Sequence, residues 1–301
     1  MKPLIILNPY SNRWKAKEKK HEIQTALTSA GLHIELVETN APGHAIELAA
    51  QAVGDGYAPI IAAGGDGTLS EVLNGMMKAD GESERPIGPF GIIPIGTAND
   101  LGDQLSISRD ISQAIAVIAG GKTRQIDLAK VNERYFVNNA GLGLEPYITI
   151  LQARMKRLNG TPRYLAAALQ GILHHPTWNM HLEWEGGEYQ GPISLISIGI
   201  WARTGGVFYT VPHAAPDDGQ LTFIHGYIAS RLKTFLAMPM IMKADKGNIS
   251  EHPSVYEFNT PWLKVRSETP TPAHADGEIF ATGIQQIEFR ILPKKLEVLV
   301  P

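Results

Sequence analysis

Apolar and polar positions along the chain follow two different periods, and the change falls near residue 127. Up to that point, short apolar runs typical of buried strands alternate with segments whose apolar residues recur every three or four positions. The runs predict strands at Leu4–Leu7, Pro59–Ala63 and Phe90–Ile95, and an alternating pattern predicts another at 32–36. The helical spacing predicts helices at 23–30, 44–53, 69–77 and 111–119. Strands that alternate with helices predict a doubly wound α/β domain with a mostly parallel sheet.

From residue 128 to residue 301 strands predominate. Two helical stretches, at 145–155 and 164–173, precede five predicted strands at 180–184, 193–201, 221–227, 262–266 and 287–291. Glycine and proline residues lie between these strands, as is typical of antiparallel sheets. We therefore predict an α/β domain over residues 1–127 and a β-rich, sandwich-like domain over residues 128–301, with a C-terminal strand that is free to return to the first domain.

Composition and charge narrow the class of protein. The chain of 301 residues is 44% hydrophobic and 19% charged, an ordinary globular balance, and its length favours two domains. Its net charge of −3 gives no overall basic field of the kind that binds nucleic acid. Without cysteine there are no disulfides or thiolate metal sites, and no segment approaches the roughly 20 apolar residues that span a bilayer. We therefore expect a cytoplasmic protein that binds no nucleic acid and contacts a membrane only peripherally.

The sharpest motif reads GGDGT, runs from Gly64 to Thr68, and separates a predicted strand from a predicted helix. Ligands of open α/β sheets bind at the carboxyl ends of strands, where glycines let backbone N–H groups approach an anion and the helix N-terminus attracts it. Asp66 can lie beside a phosphate only with a cation or a hydroxyl donor between them. The alternative is a glycine turn without a ligand, since Thr68 and Glu71 also match a capping box that would start this helix.

A second motif, GTAND at 96–100, follows the strand Phe90–Ile95 in the same way. Thr97 and Asn99 can donate hydrogen bonds to phosphate or ribose oxygens, and Asp100 can hold a metal ion or its water. An Asx-capped helix start is the alternative for this segment taken alone. Two such loops at one sheet edge predict a ligand site better than either loop does separately.

A third motif lies in the β-rich part, where Asp276-Gly277-Glu278 follows His274-Ala275. In an extended chain Asp276 and Glu278 would point to the same side, and paired carboxylates can divide general-base and metal-positioning roles. An Asp-Gly turn between two strands is the equally open alternative.

Two other glycine motifs are weaker. Gly121-Lys122-Thr123 resembles the end of a Walker A loop, but Ala116 stands where the first glycine should be, so we interpret it as a helix C-terminus. Gly65-x-Gly67-x-x-Ser70 is one residue short of the dinucleotide fingerprint, and Asp66 within it would repel a pyrophosphate. A Rossmann dehydrogenase is therefore disfavoured.

The three motifs, in this order, resemble the diacylglycerol kinase catalytic-domain family along nearly the whole chain: GGDGTLSEVLN at 64–74, GTAND at 96–100 and DGE at 276–278. That family includes bacterial soluble lipid kinases and the sphingosine and ceramide kinases, and is distantly related to NAD kinase. The resemblance implies an ATP- and Mg²⁺-dependent kinase of phospholipid biosynthesis that transfers the γ-phosphate to the hydroxyl of diacylglycerol or a related lipid. NAD kinase-like phosphorylation of a nucleotide and nucleotide binding without catalysis are the alternatives.

The resemblance also implies roles for individual residues. The nucleotide-binding residues would be Asn8, Pro9, Tyr10, Thr39, Gly65, Asp66, Gly67, Thr68, Leu69, Ser70, Glu71, Thr97, Asn99 and Asp100. A structural Mg²⁺ would be held by the Asp218 carboxylate and the carbonyls of Ala215 and Gln220, in a segment that would otherwise be taken for a hairpin turn. The catalytic base would lie in the third motif, with Glu278 favoured and Asp276 supporting it, although the sequence does not separate the two roles.

One departure from the family concerns the turn after Asn8-Pro9, where relatives usually have a glycine and this chain has Ser11-Asn12. Asparagine tolerates a left-handed backbone better than most residues, so we expect the turn to form.

Two sets of residues are candidates for membrane contact. The segment Arg231–Leu236, with Met238, Met240 and Met242, predicts an amphipathic surface that meets lipid, and Arg154, Lys156 and Arg157 could meet anionic head groups. Helices with ordinary solvated basic faces explain both sets equally well. A homodimer is compatible with the sequence, which does not name the oligomeric state.

Overall fold

The computed structural model of the protein describes residues 2–12, 14–155, 160–174 and 176–301. The chain divides into two compact units. The first unit comprises Met1–Leu128, Arg134–Val137 and Leu292–Pro301, and the second comprises Ala129–Glu133 and Asn138–Ile291.

Strands and helices alternate through the N-terminal part of the chain. In order they are β1 (Lys2–Leu7), α1 (Lys19–Ser29), β2 (Glu35–Glu38), α2 (His44–Gly54), β3 (Tyr57–Gly64), α3 (Asp66–Asp80), β4 (Ile87–Pro94), α4 (Asp100–Gln104), α5 (Ile111–Gly120), β5 (Thr123–Val131) and β6 (Arg134–Phe136). A short 3₁₀ helix at Lys15–Glu18 precedes α1.

The C-terminal part is mainly β structure. Its elements are β7 (Asn139–Gly143), α6 (Leu144–Arg154), α7 (Gly160–His174), β8 (Trp178–Trp184), β9 (Gly187–Ile193), β10 (Leu195–Gly199), β11 (Arg203–Thr204), β12 (Phe208–Tyr209), β13 (Leu221–Gly226), α8 (Arg231–Ala237), β14 (Val255–Thr260), β15 (Trp262–Ala275) and β16 (Glu278–Leu299). Short 3₁₀ helices lie at Met238–Met242 and Ile249–Glu251. Among the residues described, no helix is both long enough and apolar enough to cross a membrane.

In the first unit the strands from β2 to the end of β16 pair in parallel. Strand β1 pairs with β2 on one side and β3 on the other, β3 pairs with β4, and β4 pairs with the end of β16. Helices α1 and α5 cover one face of this sheet through Ile23, Leu27 and Ile115. Four consecutive residues of β3, at 60–63, are buried, which means that both faces of the strand are covered. The predicted doubly wound α/β fold is thereby confirmed.

Strand β2 begins at Glu35, three residues after the predicted start of a strand at 32. The N–H of Gly31 donates to Thr28 O (3.1 Å) and that of Leu32 to Leu27 O (2.9 Å), and Gly31 has φ 68°. These two bonds form a Schellman motif that closes α1. Leu32, the first residue of the alternating apolar pattern, is therefore part of the C-terminal cap of α1. The predicted start of the strand at residue 32 is wrong.

The second unit is built from antiparallel strands. Strand β10 pairs with β7 and β13, β13 with β14, and β15 with β7, β8 and β16, while β8 and β9 form a hairpin. This confirms the predicted β-rich, sandwich-like fold. Strands β15 and β16 are much longer than the predicted 262–266 and 287–291, and their pairing shifts register between Arg266 and His274. Pro270 and Pro272 interrupt the apolar alternation there, so the sequence pattern shows only the regular part of each strand.

Aromatic side chains fill part of the second unit around His225 on β13. Its ring centroid lies 4.5 Å from that of Tyr189, 5.9 Å from that of Phe258 and 6.3 Å from that of Trp184. Because His225 is only 3% exposed, desolvation disfavours its charged form and lowers its pKa to about 4.

Candidate nucleotide and acceptor sites

The two glycine loops of the first unit lie against each other at the carboxyl ends of β3 and β4. Gly64 is paired with Pro94, and the N–H of Ile95 donates to Gly64 O at 3.0 Å. A Cβ atom on Gly96 would lie 2.2 Å from Gly65 Cα, and one on Gly64 would lie 2.4 Å from Thr68 Oγ1. Gly96 is therefore required by the contact between the loops, and Gly64 by close packing within its own loop, before any ligand is considered.

Asp66 is the first residue of α3 and connects the two loops. Its Oδ2 accepts a hydrogen bond from the N–H of Asn99 at 2.8 Å, at the start of α4. Burial raises the pKa of Asp66 above its usual range, and backbone N–H groups of Leu101, Asp100 and Asn99 offset this only in part. The carboxylate thus caps a neighbouring helix in addition to any role toward a ligand.

Asn99 fixes the shape of the second loop. Its Oδ1 accepts from the N–H of Gly96 (2.9 Å), its Nδ2 donates to Gly96 O (3.1 Å), and its backbone is left-handed with φ 55°. It forms no side-chain cap on α4 within the described chain, so the alternative of an Asx-capped helix start is wrong. Asp100 is buried and Thr97 is exposed, which leaves Thr97 as the side chain of this loop that faces outward.

Arg109 supports the same loop and was not found from the sequence. Its Nη2 donates to Ala98 O at 2.7 Å and to Asp103 Oδ2 at 2.8 Å. Asp103 is the first cause of a raised pKa for Arg109. No sequence pattern singles out this arginine, because its partners are one loop carbonyl, that of Ala98, and the carboxylate of Asp103.

The predicted capping box on α3 is wrong. The N-cap of α3 is Gly65, so Thr68 is not the N-cap residue that a capping box requires. Thr68 lies inside the first turn of α3, and its hydroxyl accepts a hydrogen bond from Asn8 Nδ2 at 3.0 Å. Glu71 reaches another helix: its two carboxylate oxygens accept from the N–H groups of Gly43 (2.9 Å) and Ala45 (3.2 Å), at the start of α2. The spacing Thr-x-x-Glu does not reveal which helix N-terminus the glutamate reaches.

The first turn and Thr39 lie at the same edge of the sheet. The N–H of Tyr10 donates to Asn8 Oδ1 at 3.0 Å, Asn8 N–H donates to Ala63 O at 3.0 Å, and Thr39 N–H donates to Leu7 O at 2.9 Å. Asn12 has φ 51°, so the left-handed turn expected at Ser11-Asn12 forms. Pro9 is buried behind this turn.

Several predicted nucleotide contacts are restricted to backbone atoms. Leu69 is 2% exposed and Ser70 is 1% exposed, since both face the core of the first unit. Gly65 and Gly67 lie at the N-terminus of α3, a helix of 15 residues whose N–H groups and dipole favour an anion. The nucleotide roles of these residues stay predictions.

The third motif forms a tight turn between β15 and β16. Ala275 is paired with Glu278, and Asp276 and Gly277 have φ 46° and 77°, as in the hairpin turns that favour Asp-Gly. The expectation that Asp276 and Glu278 point to the same side of an extended strand is therefore wrong. Asp276 Oδ1 accepts from the N–H groups of Asn138 (2.9 Å) and Asn139 (3.3 Å), which fixes the turn against β7. Glu278 is half-buried at the first position of β16.

The predicted Mg²⁺ ligands lie together on the exposed turn before β13. Asp218 Oδ1 accepts from the N–H of Gln220 at 2.9 Å, which orients the carboxylate within the turn. One carboxylate oxygen and two carbonyls suit Mg²⁺, which binds oxygen and keeps several waters. Among the described residues no three His, Cys, Asp or Glu side chains gather as a metal site, so any metal here would rest mainly on carbonyls and water.

The second unit contains an apolar cavity of about 910 Å³, including its mouth. Its wall combines α6, α7, β10, β13 and α8, through residues such as Ile148, Ile172, Leu195, Ile224 and Ala237. Sequence reasoning missed this cavity because its lining comes from segments between 144 and 255 that no local pattern connects.

Exposed apolar side chains concentrate on α7, α8 and the 3₁₀ helix after it. They are Leu165, Leu169, Leu173, Leu232, Phe235, Leu236 and Met242, each at least 47% exposed. We call this set the apolar surface. Met238 lines the cavity and Met240 packs beside it. Of the predicted basic group, Arg154 is exposed at the end of α6, while Lys156 and Arg157 lie outside the described residues.

Comparisons with known proteins agree with this architecture. The family model "Diacylglycerol kinase catalytic domain" matches residues 2–131, and the model "YegS C-terminal NAD kinase beta sandwich-like domain" matches residues 139–300. A protein named diacylglycerol kinase from Staphylococcus saprophyticus is 31% identical over 299 residues, which are 99% of this chain and 94% of the relative. One of the same name from Staphylococcus aureus is 30% identical over 299 residues, 99% of this chain and 91% of the relative.

A solved structure described as a diacylglycerol kinase from Bacillus anthracis str. Sterne has a TM-score of 0.79 to this chain at 20% identity, covering 100% of this chain and 97% of the other. At that identity the likeness shows the fold. The family matches and the two staphylococcal relatives confirm the resemblance inferred from the motifs. The chain therefore belongs to the diacylglycerol kinase family and is a phosphotransferase with an alcohol group as acceptor.

Proposed function

We propose that the protein uses ATP and Mg²⁺ to phosphorylate the hydroxyl of diacylglycerol or a closely related lipid alcohol at a membrane surface. The observation that carries the proposal is the apolar cavity of the second unit. Its lining is almost entirely apolar, with few polar side chains, as is usual for sites that bind small apolar molecules. Such a wall suits hydrocarbon, whereas a nucleotide acceptor such as NAD offers mainly polar groups.

In this proposal ATP binds to the loops of the first unit. Its phosphates would meet the N-terminus of α3 at Gly65–Gly67, and Thr97, which faces outward, would contact the nucleotide. The predicted contacts at Asn8, Tyr10 and Thr39 lie at the same sheet edge. When bound, Mg²⁺ would neutralise charge on the phosphates.

Chemistry requires one proton to leave the acceptor. Glu278 would accept the proton of the lipid hydroxyl as its oxygen forms a bond to the γ-phosphorus and the bond to ADP breaks. The hydrogen bonds of Asp276 to two backbone N–H groups support a positioning role for that residue, because they fix the turn that carries Glu278.

The apolar surface supports peripheral membrane contact. In α8 five of seven residues are exposed, among them Leu232, Phe235 and Leu236, which is unusual for a helix facing water. The segments 160–174 and 231–246 together carry five Lys or Arg residues and one Asp, in a chain whose net charge is −3. Apolar side chains with basic neighbours are the combination that binds anionic bilayers.

The test is to incubate the purified protein with labelled ATP, Mg²⁺ and vesicles that contain diacylglycerol, monoacylglycerol, ceramide or sphingosine, with NAD in a parallel reaction. We expect label in a lipid product and none in NADP. Phosphorylation of NAD without any lipid product would contradict the proposal, and ATP binding without turnover of any acceptor would favour a non-catalytic protein.

The Mg²⁺ turn has a separate test. Asp218→Ala should remove any rise in melting temperature that Mg²⁺ causes in the parent, since a metal that binds only the folded state stabilises by mass action. Equal Mg²⁺ responses of parent and variant would exclude Asp218 as a ligand. Asp217→Ala, on the same exposed turn, is the matched variant.

A further inference from the structure

Polar groups with unused hydrogen-bonding capacity lie in the wall of the apolar cavity. Ser194 and Thr210 line it, and their hydroxyl oxygens are buried without a hydrogen-bond partner among the described residues. Thr234 lines the same cavity, but its hydroxyl donates to Ser230 O at 3.1 Å. Buried polar groups are rarely left unpaired in native proteins. The two unpaired hydroxyls therefore point to a ligand with polar atoms as well as hydrocarbon.

Glu145 is the one ionisable residue in the described lining of this cavity. Ser197 Oγ donates to its Oε2 at 3.0 Å, and His274 Nε2 lies 3.2 Å from its Oε1. Burial alone would raise the pKa of Glu145, but His274 and Ser197 outweigh this effect and hold the pKa below its usual value. The side chain is 28% exposed while that of His274 is 4% exposed, so the ionised carboxylate can be reached from the cavity.

The backbone is arranged to bring these groups together. A Cβ atom on Gly141 would lie 2.7 Å from His274 Nε2 and 2.9 Å from Glu145 Oε2, so a side chain there would separate the pair. The N–H of Leu144 donates to Ser194 O at 2.9 Å, which places Ser194 beside the residue that precedes Glu145. Carboxylate and hydroxyl thus belong to one region of the wall.

The chemistry of this region defines what it can bind. An ionised carboxylate only accepts hydrogen bonds, whereas serine and threonine hydroxyls can donate them. A matching lipid offers one donor, a hydroxyl or an N–H group, beside carbonyl oxygens and an alkyl chain.

We propose that Glu145, Ser194 and Thr210 form a specificity site for the head-group end of the lipid acceptor. Glu145 accepts a hydrogen bond from a hydroxyl or N–H group of the lipid, and Ser194 and Thr210 donate to its carbonyl oxygens. The inference rests on the proposed function for the identity of the ligand as the acceptor. It makes the cavity selective for lipids that carry a donor, and not merely for hydrocarbon.

The experiment measures lipid binding without ATP, by calorimetry with three soluble probes of equal chain length: dioctanoylglycerol, its O-methyl ether, and a short-chain ceramide. The parent should bind a donor-bearing probe about tenfold more tightly than the ether, because the ether offers nothing to Glu145. Preference for dioctanoylglycerol would assign the hydroxyl of a glycerolipid to Glu145, and preference for ceramide would assign a ceramide head group, which offers an amide N–H beside its hydroxyls. Equal affinity for all three probes would overturn the proposal.

Variants separate binding from folding. Glu145→Gln keeps the shape but replaces a charged acceptor by a neutral one, and should reduce the preference over the ether to about threefold or less, since hydrogen bonds to ionised groups are roughly twice as strong. Ser194→Ala and Thr210→Val remove unpaired hydroxyls, so they should leave the melting temperature unchanged or higher while weakening every carbonyl-bearing probe about fivefold. A merely structural role would not produce that split.

Thr234→Val is the matched control, because it removes a cavity hydroxyl that already has a protein partner. It should lower the melting temperature and leave the preference among the probes as in the parent. Full preference in Glu145→Gln together with full affinity in Ser194→Ala would overturn the proposal. The lipid kinase assay is independent: turnover of lipid with unchanged head-group preference in Glu145→Gln would remove this inference and leave the proposed function in place.

Discussion

The loops of the first unit and the cavity of the second use their polar groups in opposite ways. In the loops and the helix α3 that follows the first of them, Asp66, Glu71 and Asn99 are each hydrogen-bonded to backbone N–H groups of the protein itself. In the cavity wall, the hydroxyls of Ser194 and Thr210 have no partner among the described residues. The comparison teaches that the polar residues of a sequence motif here mainly hold the backbone of the site in place. Residues that bind a ligand directly are better sought among polar side chains that have no hydrogen-bond partner within the protein.

The largest effect is expected from Glu278→Gln, which tests whether the turn between β15 and β16 carries the catalytic base. Glutamine keeps the volume of the side chain but does not take up the proton. Removal of a general base typically costs about 10²–10⁴-fold in rate, so kcat should fall by that order while ATP affinity stays within a few-fold. Steady-state kinetics on the preferred lipid and titration with a non-hydrolysable ATP analogue measure the two quantities.

Asp276→Asn is the matched variant for this prediction. It keeps Oδ1, which accepts from the N–H groups of Asn138 and Asn139, so the turn and the melting temperature should be preserved. A steeper loss of kcat in Asp276→Asn than in Glu278→Gln would assign the base to Asp276. Full kcat in both variants would remove the catalytic role of the whole turn.

Variants of Asp66 test whether one motif residue can both stabilise the loops and act on the bound nucleotide. Asp66→Ala removes the acceptor at the start of α4, and loss of a helix cap costs about 1–2 kcal/mol, so the free energy of unfolding should fall by that amount. Asp66→Asn keeps an oxygen acceptor for the N–H of Asn99 and removes a charge that burial disfavours. Asp66→Asn should therefore be as stable as the parent.

Both Asp66 variants should lose phosphoryl transfer by about 10²-fold or more if the charge acts on the bound nucleotide. Chemical denaturation and the kinase assay are measured on the same preparations. Normal turnover by the Asp66→Asn enzyme would leave Asp66 only its structural role. The difference between the loops, whose polar groups bind the protein, and the cavity, where the hydroxyls of Ser194 and Thr210 have no partner among the described residues, would then be larger.

Glu71 provides a smaller effect that is purely structural. Glu71→Gln keeps one of the two oxygens that accept from Gly43 and Ala45, so about 1 kcal/mol of stability should be lost. Amide hydrogen exchange should become faster at Gly43 and Ala45 and stay unchanged in the first turn of α3. Glu47→Gln, on the exposed face of α2, is the control and should change neither. Faster amide exchange confined to the first turn of α3 would show that Glu71 caps α3, as the capping-box prediction had it.

These residues show what could be predicted from the sequence. Strands β3 and β4 and the loops after them follow from local patterns, because a buried run and a glycine turn are adjacent in the chain. Glu71 was misassigned because its partners are 26 and 28 residues away, and Asp276 because its partners are 137 and 138 residues away. The cavity was missed for the same reason, since folding alone brings its wall together.

The smallest effect concerns His225 in the aromatic cluster. It tests the difference between buried polar groups that are available to a ligand and buried polar groups that only pack against other side chains. Desolvation lowers the pKa of His225 from 6.5 to about 4, so the neutral ring is favoured in the folded state. Its contribution to stability is then complete above pH 6.5 and is lost as the pH falls from 6.5 toward 4, because the unfolded state takes up the proton first. At pH 5.5 the loss of stability should be about 1 kcal/mol.

Denaturation of the parent and of His225→Phe at pH 7.5 and pH 5.5 measures this loss, and the variant should lose less stability than the parent between the two pH values. His21→Phe, at an exposed position of α1, is the control and should behave like the parent. An equal fall in stability for His225→Phe and the parent would show that other groups cause the acid sensitivity and that His225 only packs.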